Sequence, residues 1–310
     1  MVVTYGKMSS TSIKNILQQA YEYVIEDHTF LRLTTISTLI HSMIFVVIVL
    51  YNLTQVMAKI NYERSSAIMK EVTSIAQQLI ANEWVIWLLI IVAIILALWY
   101  YIFPPIGEAA MIHHLEKSYQ KKSGSSFAQG MKKFFVMFER NSLLGFISVS
   151  TWLIILSRVW ILGIFESAIM LPIIIIYSLV VLSTVVLTPY VKFKLVVEEE
   201  KFGTAITESI GLALAHPMLT FRLVLVWLLL YLRIILNIII LVWVPAVIFY
   251  IAFIFGFQQA TIFYVILTVV VIGLFMLIAY INSIVEAFLM AYWYLGYRMI
   301  ESQEPHPIVS

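Results

Sequence analysis

Long apolar runs alternate with short polar segments along this chain, and the runs have the length that a lipid bilayer demands. A helix rises about 1.5 Å per residue and needs roughly 20 apolar residues to cross a hydrocarbon core of about 30 Å. Six runs qualify: Leu33–Leu53, Trp84–Phe103, Leu143–Ile164, Met170–Leu187, Phe221–Ile248 and Phe263–Met290. Trp84, Trp87, Trp99, Tyr100, Tyr101, Trp152, Trp160, Tyr190, Trp227 and Trp243 lie mostly near run ends, where amphipathic rings meet the headgroups. The pattern predicts an all-α integral membrane protein of six transmembrane helices.

The polar segments carry a second periodicity. Ile13, Ile16, Leu17, Ala20, Tyr21, Val24 and Ile25 recur at helical spacing and define one apolar face. Phe127, Met131, Phe134, Phe135 and Phe138 repeat the pattern opposite Gln129, Lys132, Lys133, Glu139 and Arg140. Ile206, Ile210, Ala213 and Leu214 repeat it again opposite Thr207, Glu208 and Gly211. Ser12, Ser126 and Thr204 stand where N-caps belong. Each amphipathic stretch is expected to end at a polar break, Asp27-His28-Thr29, Glu139-Arg140-Asn141 or His216-Pro217, with a span following at once. The chain therefore reads as three units of interfacial amphipathic helix plus transmembrane hairpin, over residues 12–103, 126–187 and 204–298. These belong to one membrane domain, 12–298, with flexible ends at 1–11 and 299–310. Val285-Glu286-Ala287 closing the sixth run echoes Gly107-Glu108-Ala109 after the second. Interfacial anchoring is the simplest role for such helices, and membrane sensing or partner docking the sharper one.

Composition agrees with lipid as the solvent: 62% of residues are hydrophobic, 12% are charged and the mean hydropathy is +0.99. A net charge of +2 without a clustered basic face excludes nucleic acid as the expected partner. The lack of cysteine rules out disulfides, thiol nucleophiles and thiolate metal sites. Residues 1–11 hold Lys7 as their one positive charge, and the first long run begins at Leu33, farther in than a cleaved signal peptide has it. Positive residues mark the cytoplasmic side. Lys7, Lys14, Arg32, Lys117, Lys121, Lys122, Lys132, Lys133, Arg140, Lys192, Lys194, Lys201, Arg222 and Arg298 fall on one side, against Lys59, Arg64 and Lys70 on the other. Both termini are thus expected in the cytoplasm.

Thr188-Pro189-Tyr190, Val196-Val197-Glu198 and Gly203-Thr204-Ala205-Ile206 with Ser209 resemble the loop and helix that precede a span in a bacterial membrane domain. That domain is attached to some glycerophosphodiester phosphodiesterases and has stand-alone relatives. The resemblance implies an all-helical domain in the cytoplasmic membrane of a prokaryote. It does not imply phosphodiesterase activity, because the chain has no soluble hydrolase domain.

Ionisable groups inside spans are costly, so each raises a functional hypothesis. Arg233 and Asn237 in the fifth run, and Asn282 and Glu286 in the sixth, are spaced i, i+4 and share a helix face. Arg233 and Glu286 lie equally far along the chain from a turn between Gln259 and Ala260, as do Asn237 and Asn282. An Arg233–Glu286 ion pair beside an Asn237–Asn282 contact is therefore predicted, either as a clamp on the hairpin or as a site for substrate or protons. Arg158 is expected to snorkel outward, toward Glu166. His41 lies in a first run that also holds Thr34, Thr35, Ser37, Thr38 and Ser42, so the inner half of that run suits protein contact and His41 suits an interhelical hydrogen bond. His113, His114 and Glu116 do not make a metal site, because adjacent helical residues point about 100° apart. Glu198-Glu199-Glu200-Lys201 reads as a solvated loop. The excursion between the first two runs, residues 54–83, has Val56, Ile60, Ile68, Val72, Ile75 and Leu79 at helical spacing. It is expected to lie on the outer leaflet or extend the first hairpin, or else to dock another membrane subunit or an outer protein.

No HExxH, GxSxG, GxxxxGK[ST] or GxGxxG motif occurs, and the spans contain no aspartate. The expectation is a non-enzyme with no cofactor: a structural, accessory or assembly subunit that packs with other membrane components or lipid. The alternative is a transporter or channel that uses Arg158, Arg233 and Glu286 with the polar first span.

Overall fold

The computed structural model describes residues 13–35, 38–39, 42, 83–120, 125–163, 169–233, 236–237, 239–240, 244, 247–248, 251, 254 and 261–302. Among them every regular element is helical: α1 (Ile13–Glu26), α2 (Glu83–Gln120), α3 (Ser126–Lys132), α4 (Phe134–Gly145), α5 (Val149–Leu162), α6 (Met170–Leu187), α7 (Val191–Val197), α8 (Phe202–Ala215), α9 (Pro217–Tyr231) and α10 (Thr261–Glu301). Among the described residues, four segments are long and apolar enough to cross a membrane, Trp84–Gln120, Phe134–Val159, Met170–Leu187 and Val269–Glu301. A fifth arises if α8 and α9, which meet at 102°, count as one bent span.

The spans and the packed core occupy different parts of these helices. Trp84, Trp87, Leu88, Ile91 and Ile95 on the first half of α2 are exposed, whereas Ala109, Ala110, Ile112 and Leu115 on its second half are buried. Pro104 and Pro105 stand at the changeover, and the helix continues through them although each lacks a backbone donor. In α10, Ile266, Val269 and Ile272 are exposed while Tyr292, Tyr294, Tyr297 and Ile300 are buried.

Around the buried ends of α2 and α10 the short helices gather into a collar. Phe193 on α7 stacks on Tyr297 at 5.3 Å between centroids and meets Tyr294 edge-on at 5.9 Å. Tyr190 packs beside Tyr297 and Trp293. Fully burying a large apolar side chain contributes about 1.5–3 kcal/mol, so these aromatic rings carry much of the collar's cohesion. Ser209 on α8 donates to the Leu187 carbonyl at 3.1 Å and accepts from the Tyr190 amide at 3.2 Å, satisfying the backbone where α6 ends. Burial pushes the Tyr190 hydroxyl up to about 12, against its hydrogen bond with Thr220 at 2.9 Å. Gly130 on α3 lies so close to α2 that a Cβ there would sit 2.5 Å from the Ile106 carbonyl oxygen and 2.9 Å from Ala110.

Several expected boundaries move. Ile16, Ala20, Tyr23 and Val24 form the buried stripe of α1, while Tyr21 and Ile25 are exposed on its edge. Asp27 does break the chain, because its Oδ1 accepts from the Thr29 and Phe30 amides at 3.0 Å and restarts a helix over 28–35. Glu139-Arg140-Asn141 does not: α4 runs through it, since Arg140 is held by Glu108 and Asn141, and the break comes at 146–148. Ser125 rather than Ser126 caps α3, accepting from the Ala128 amide. Thr204 lies inside α8, its hydroxyl turned back to the Lys201 carbonyl at 2.7 Å. The sixth run extends beyond Met290 to Glu301, so residues 299–301 are helical rather than tail. Ser12, residues 1–11 and the outer excursion up to residue 82 lie outside the described residues, as does much of the first and fifth runs.

Candidate functional site

The polar residues of the fifth and sixth runs meet. Arg233 donates from Nη2 to Glu286 Oε1 at 2.6 Å and from Nε to Asn282 Oδ1 at 3.2 Å. Asn237 donates to the same Asn282 oxygen at 2.8 Å. Asn282 in turn donates from Nδ2 to Ser42 Oγ at 3.1 Å, and next to it the Ser283 and Thr38 hydroxyls are 2.6 Å apart. Equal distance from the turn predicts two separate pairs, whereas the structure makes Asn282 a hub for three runs. Thr34, Thr38 and Ser42 are buried, which puts the polar face of the first run against protein. Arg158 is half-buried on α5; its expected partner Glu166 and His41 both lie outside the described residues.

A second ionic cluster lies where the apolar runs end. Glu108 follows the second run, Arg140 precedes the third, and Lys192 follows the fourth. The Glu108 carboxylate receives Arg140 Nη1 at 3.1 Å and lies 3.7 Å from Lys192 Nζ. Burial pulls the Lys192 ammonium below the ordinary lysine value; the Glu108 and Glu286 carboxylates oppose that, and Arg140 adds to it. Glu286 thus acts electrically on both the clamp and the boundary cluster. Sequence reasoning missed this grouping, although each member is a charged residue at the same end of successive spans.

Three further groupings tie the collar together. Asp27 Oδ2 lies 2.7 Å from His114 Nε2, and His114 Nδ1 lies 3.2 Å from Ser126 Oγ. Burial pushes the Asp27 carboxyl up, but the His114 hydrogen bond and charge and the Phe30 and Thr29 amides outweigh it and hold the group below its ordinary value. Carboxylate, imidazole and hydroxyl stand in the order used for acyl transfer. Ser126, the first residue of α3, is buried, and the array joins the residue after α1 to α2 and α3. Glu116 is taken by Arg298 and Tyr294. Lys194 Nζ lies 2.7 Å from Glu198, 2.9 Å from Glu208 and 3.9 Å from Glu200. Carboxylate oxygens of these three glutamates lie within 4.8 Å of one another, and the Lys194 ammonium fills the place that a metal cation would take. Burial, then the adjacent Glu208 carboxylate, pushes the Glu200 carboxyl up to about 7. The 198–201 loop is therefore fastened rather than simply solvated: Tyr297 donates to Glu198, and Glu199 takes a left-handed φ of 59° and pairs with Lys133.

No family model, curated protein or solved structure matches this chain.

Proposed function

We propose that the chain is a non-enzymatic structural or accessory membrane protein of six spans, arranged as three units of interfacial helix plus hairpin, with both termini in the cytoplasm of a prokaryotic cell. The observation that carries this reading is the separation of a tightly packed collar from widely exposed spans. Leu88, Ile176 and Val269, each from a different span, are exposed, so the spans offer apolar faces to lipid or to another membrane subunit. The intramembrane polar groups support a holding role too, because Arg233, Asn237, Asn282, Glu286 and Ser42 are engaged with one another across three runs. The excursion at 54–83 is a second place for a partner, on the outer side.

Purification in mild detergent, with identification of co-purifying proteins and lipids, tests the proposal. A stoichiometric membrane subunit or retained lipid is expected. A lone species that carries solute-dependent flux in liposomes would overturn it in favour of a transporter.

A further inference from the structure

The boundary cluster is unbalanced in charge. Arg140 and Lys192 share the single carboxylate of Glu108, and the nearby Glu286 is already bound by Arg233 at 2.6 Å. Of the other carboxylates described on the collar, Asp27 pairs with His114, Glu116 and Glu301 with Arg298 and Glu199 with Lys133, while Glu198, Glu200 and Glu208 surround Lys194. Glu139, next to Arg140 in the chain, is exposed. Among the described residues, two largely buried cations on one carboxylate leave a positive charge uncompensated, which burial penalises heavily.

The unmet need has a direction. Arg140 uses Nη1 on Glu108 and Asn141, while its Nε is buried without an acceptor. A buried unsatisfied donor costs about 1–3 kcal/mol. A guanidinium fork with a free N–H beside an ammonium matches the tetrahedral oxyanion of a phosphate. Burial first, and the neighbouring Arg140 after it, disfavour the charged form of Lys192, and an added anion would oppose both. All three residues stand at the ends of apolar runs, where the proposed spans would meet the lipid headgroups.

We propose that Arg140 and Lys192, flanking Glu108, bind a phosphate oxyanion presented by the headgroup of an anionic phospholipid. The site rests on the proposed reading only in lying at the inner membrane face, where headgroups of that kind attract basic residues. Occupancy would bring Arg140 Nε an acceptor and tie α2, α4 and α7 to the lipid.

The test uses the full chain in a mild non-ionic detergent, with dioleoyl phosphatidylglycerol, dioleoyl phosphatidylcholine or inorganic phosphate added. Retained lipid is counted by native mass spectrometry, and stabilisation is followed by thermal unfolding. Phosphatidylglycerol should be retained and should stabilise the protein more than phosphatidylcholine or phosphate. Arg140→Gln and Lys192→Gln should each weaken that preference roughly fivefold, the effect of removing one surface cation facing an anionic lipid. Glu108→Gln should strengthen it, because the competing internal anion is gone. A purely structural cluster would lose lipid retention equally in all three variants, or in none. Equal retention of the two lipids by the unmodified chain would overturn the proposal, as would loss of preference in a folded Glu108→Gln. Inorganic phosphate that stabilises as strongly as phosphatidylglycerol would overturn the lipid as its source. Sidedness is read separately by impermeant thiol labelling, so an error in topology and an error in the anion site give different results.

Discussion

Replacing Glu286 by Gln removes a charge from the clamp while keeping an oxygen where Arg233 Nη2 needs an acceptor. The expected cost follows from the burial of the pair, since the Arg233 side chain is 14% exposed and that of Glu286 is 45% exposed. An exposed ion pair contributes about 0–1 kcal/mol and breaking a buried one costs about 3–5 kcal/mol, so Glu286→Gln should cost about 2 kcal/mol. Arg233→Ala also takes a donor from Asn282 and should cost about 3 kcal/mol. Arg233→Ala combined with Glu286→Ala should cost less than Arg233→Ala and Glu286→Ala measured singly and summed, leaving a coupling of about 1.5 kcal/mol. That exceeds the roughly 0.6 kcal/mol typical of a hydrogen-bonded pair between membrane helices. Unfolding in mixed micelles by titration with sodium dodecyl sulfate, followed by the fluorescence of the chain's 8 tryptophans, measures each free energy. Costs that add to within about 0.5 kcal/mol would refute the clamp.

Other regions give independent tests. Gly130→Ala should destabilise the chain by about 1–3 kcal/mol despite its better helix propensity, because the new methyl meets the backbone of α2 rather than a movable side chain; a more stable variant in the same titration would refute that contact. Folding raises the Glu200 carboxyl from its ordinary 4.5 to about 7, so the folded state binds this proton more tightly than the unfolded one. The contribution of Glu200 to stability is therefore largest below the ordinary value and falls as pH rises between the two. Glu200→Gln should flatten that part of the profile, and a profile unchanged by the substitution would contradict the assignment. A fluorophosphonate probe should leave the buried Ser126 unmodified. Labelling that disappears in Ser126→Ala would make the Asp27–His114–Ser126 array a hydrolase site.

Membrane helices were legible in the sequence because bilayer thickness fixes the length of an apolar run, and no folding detail is needed to count residues such as Trp84 to Phe103. The clamp was legible for a related reason: consecutive antiparallel spans place residues equidistant from their turn at one depth. What the pattern did not carry is side-chain competition. Arg140 reads as a helix breaker by polarity alone, but Glu108 from another span satisfies it and α4 continues. Ser42 joins Asn282, and Thr38 joins Ser283, across a long stretch of chain, and nothing in local periodicity encodes that neighbour. The Glu108–Arg140–Lys192 grouping brings together residues from three separate helices, α2, α4 and α7. Each residue alone looks like an ordinary positive-inside or interfacial charge.

The central claim is that the collar lies on the cytoplasmic side of six spans, and the cysteine-free chain lends itself to a direct measurement. Single cysteines at Glu199, whose side chain is 73% exposed on the collar, and at Glu63 in the outer excursion are to be labelled in intact cells with a membrane-impermeant maleimide. Glu63→Cys should react from outside, and Glu199→Cys only after the cells are opened. Labelling of Glu199→Cys in intact cells, or protection of Glu63→Cys until lysis, would contradict the account.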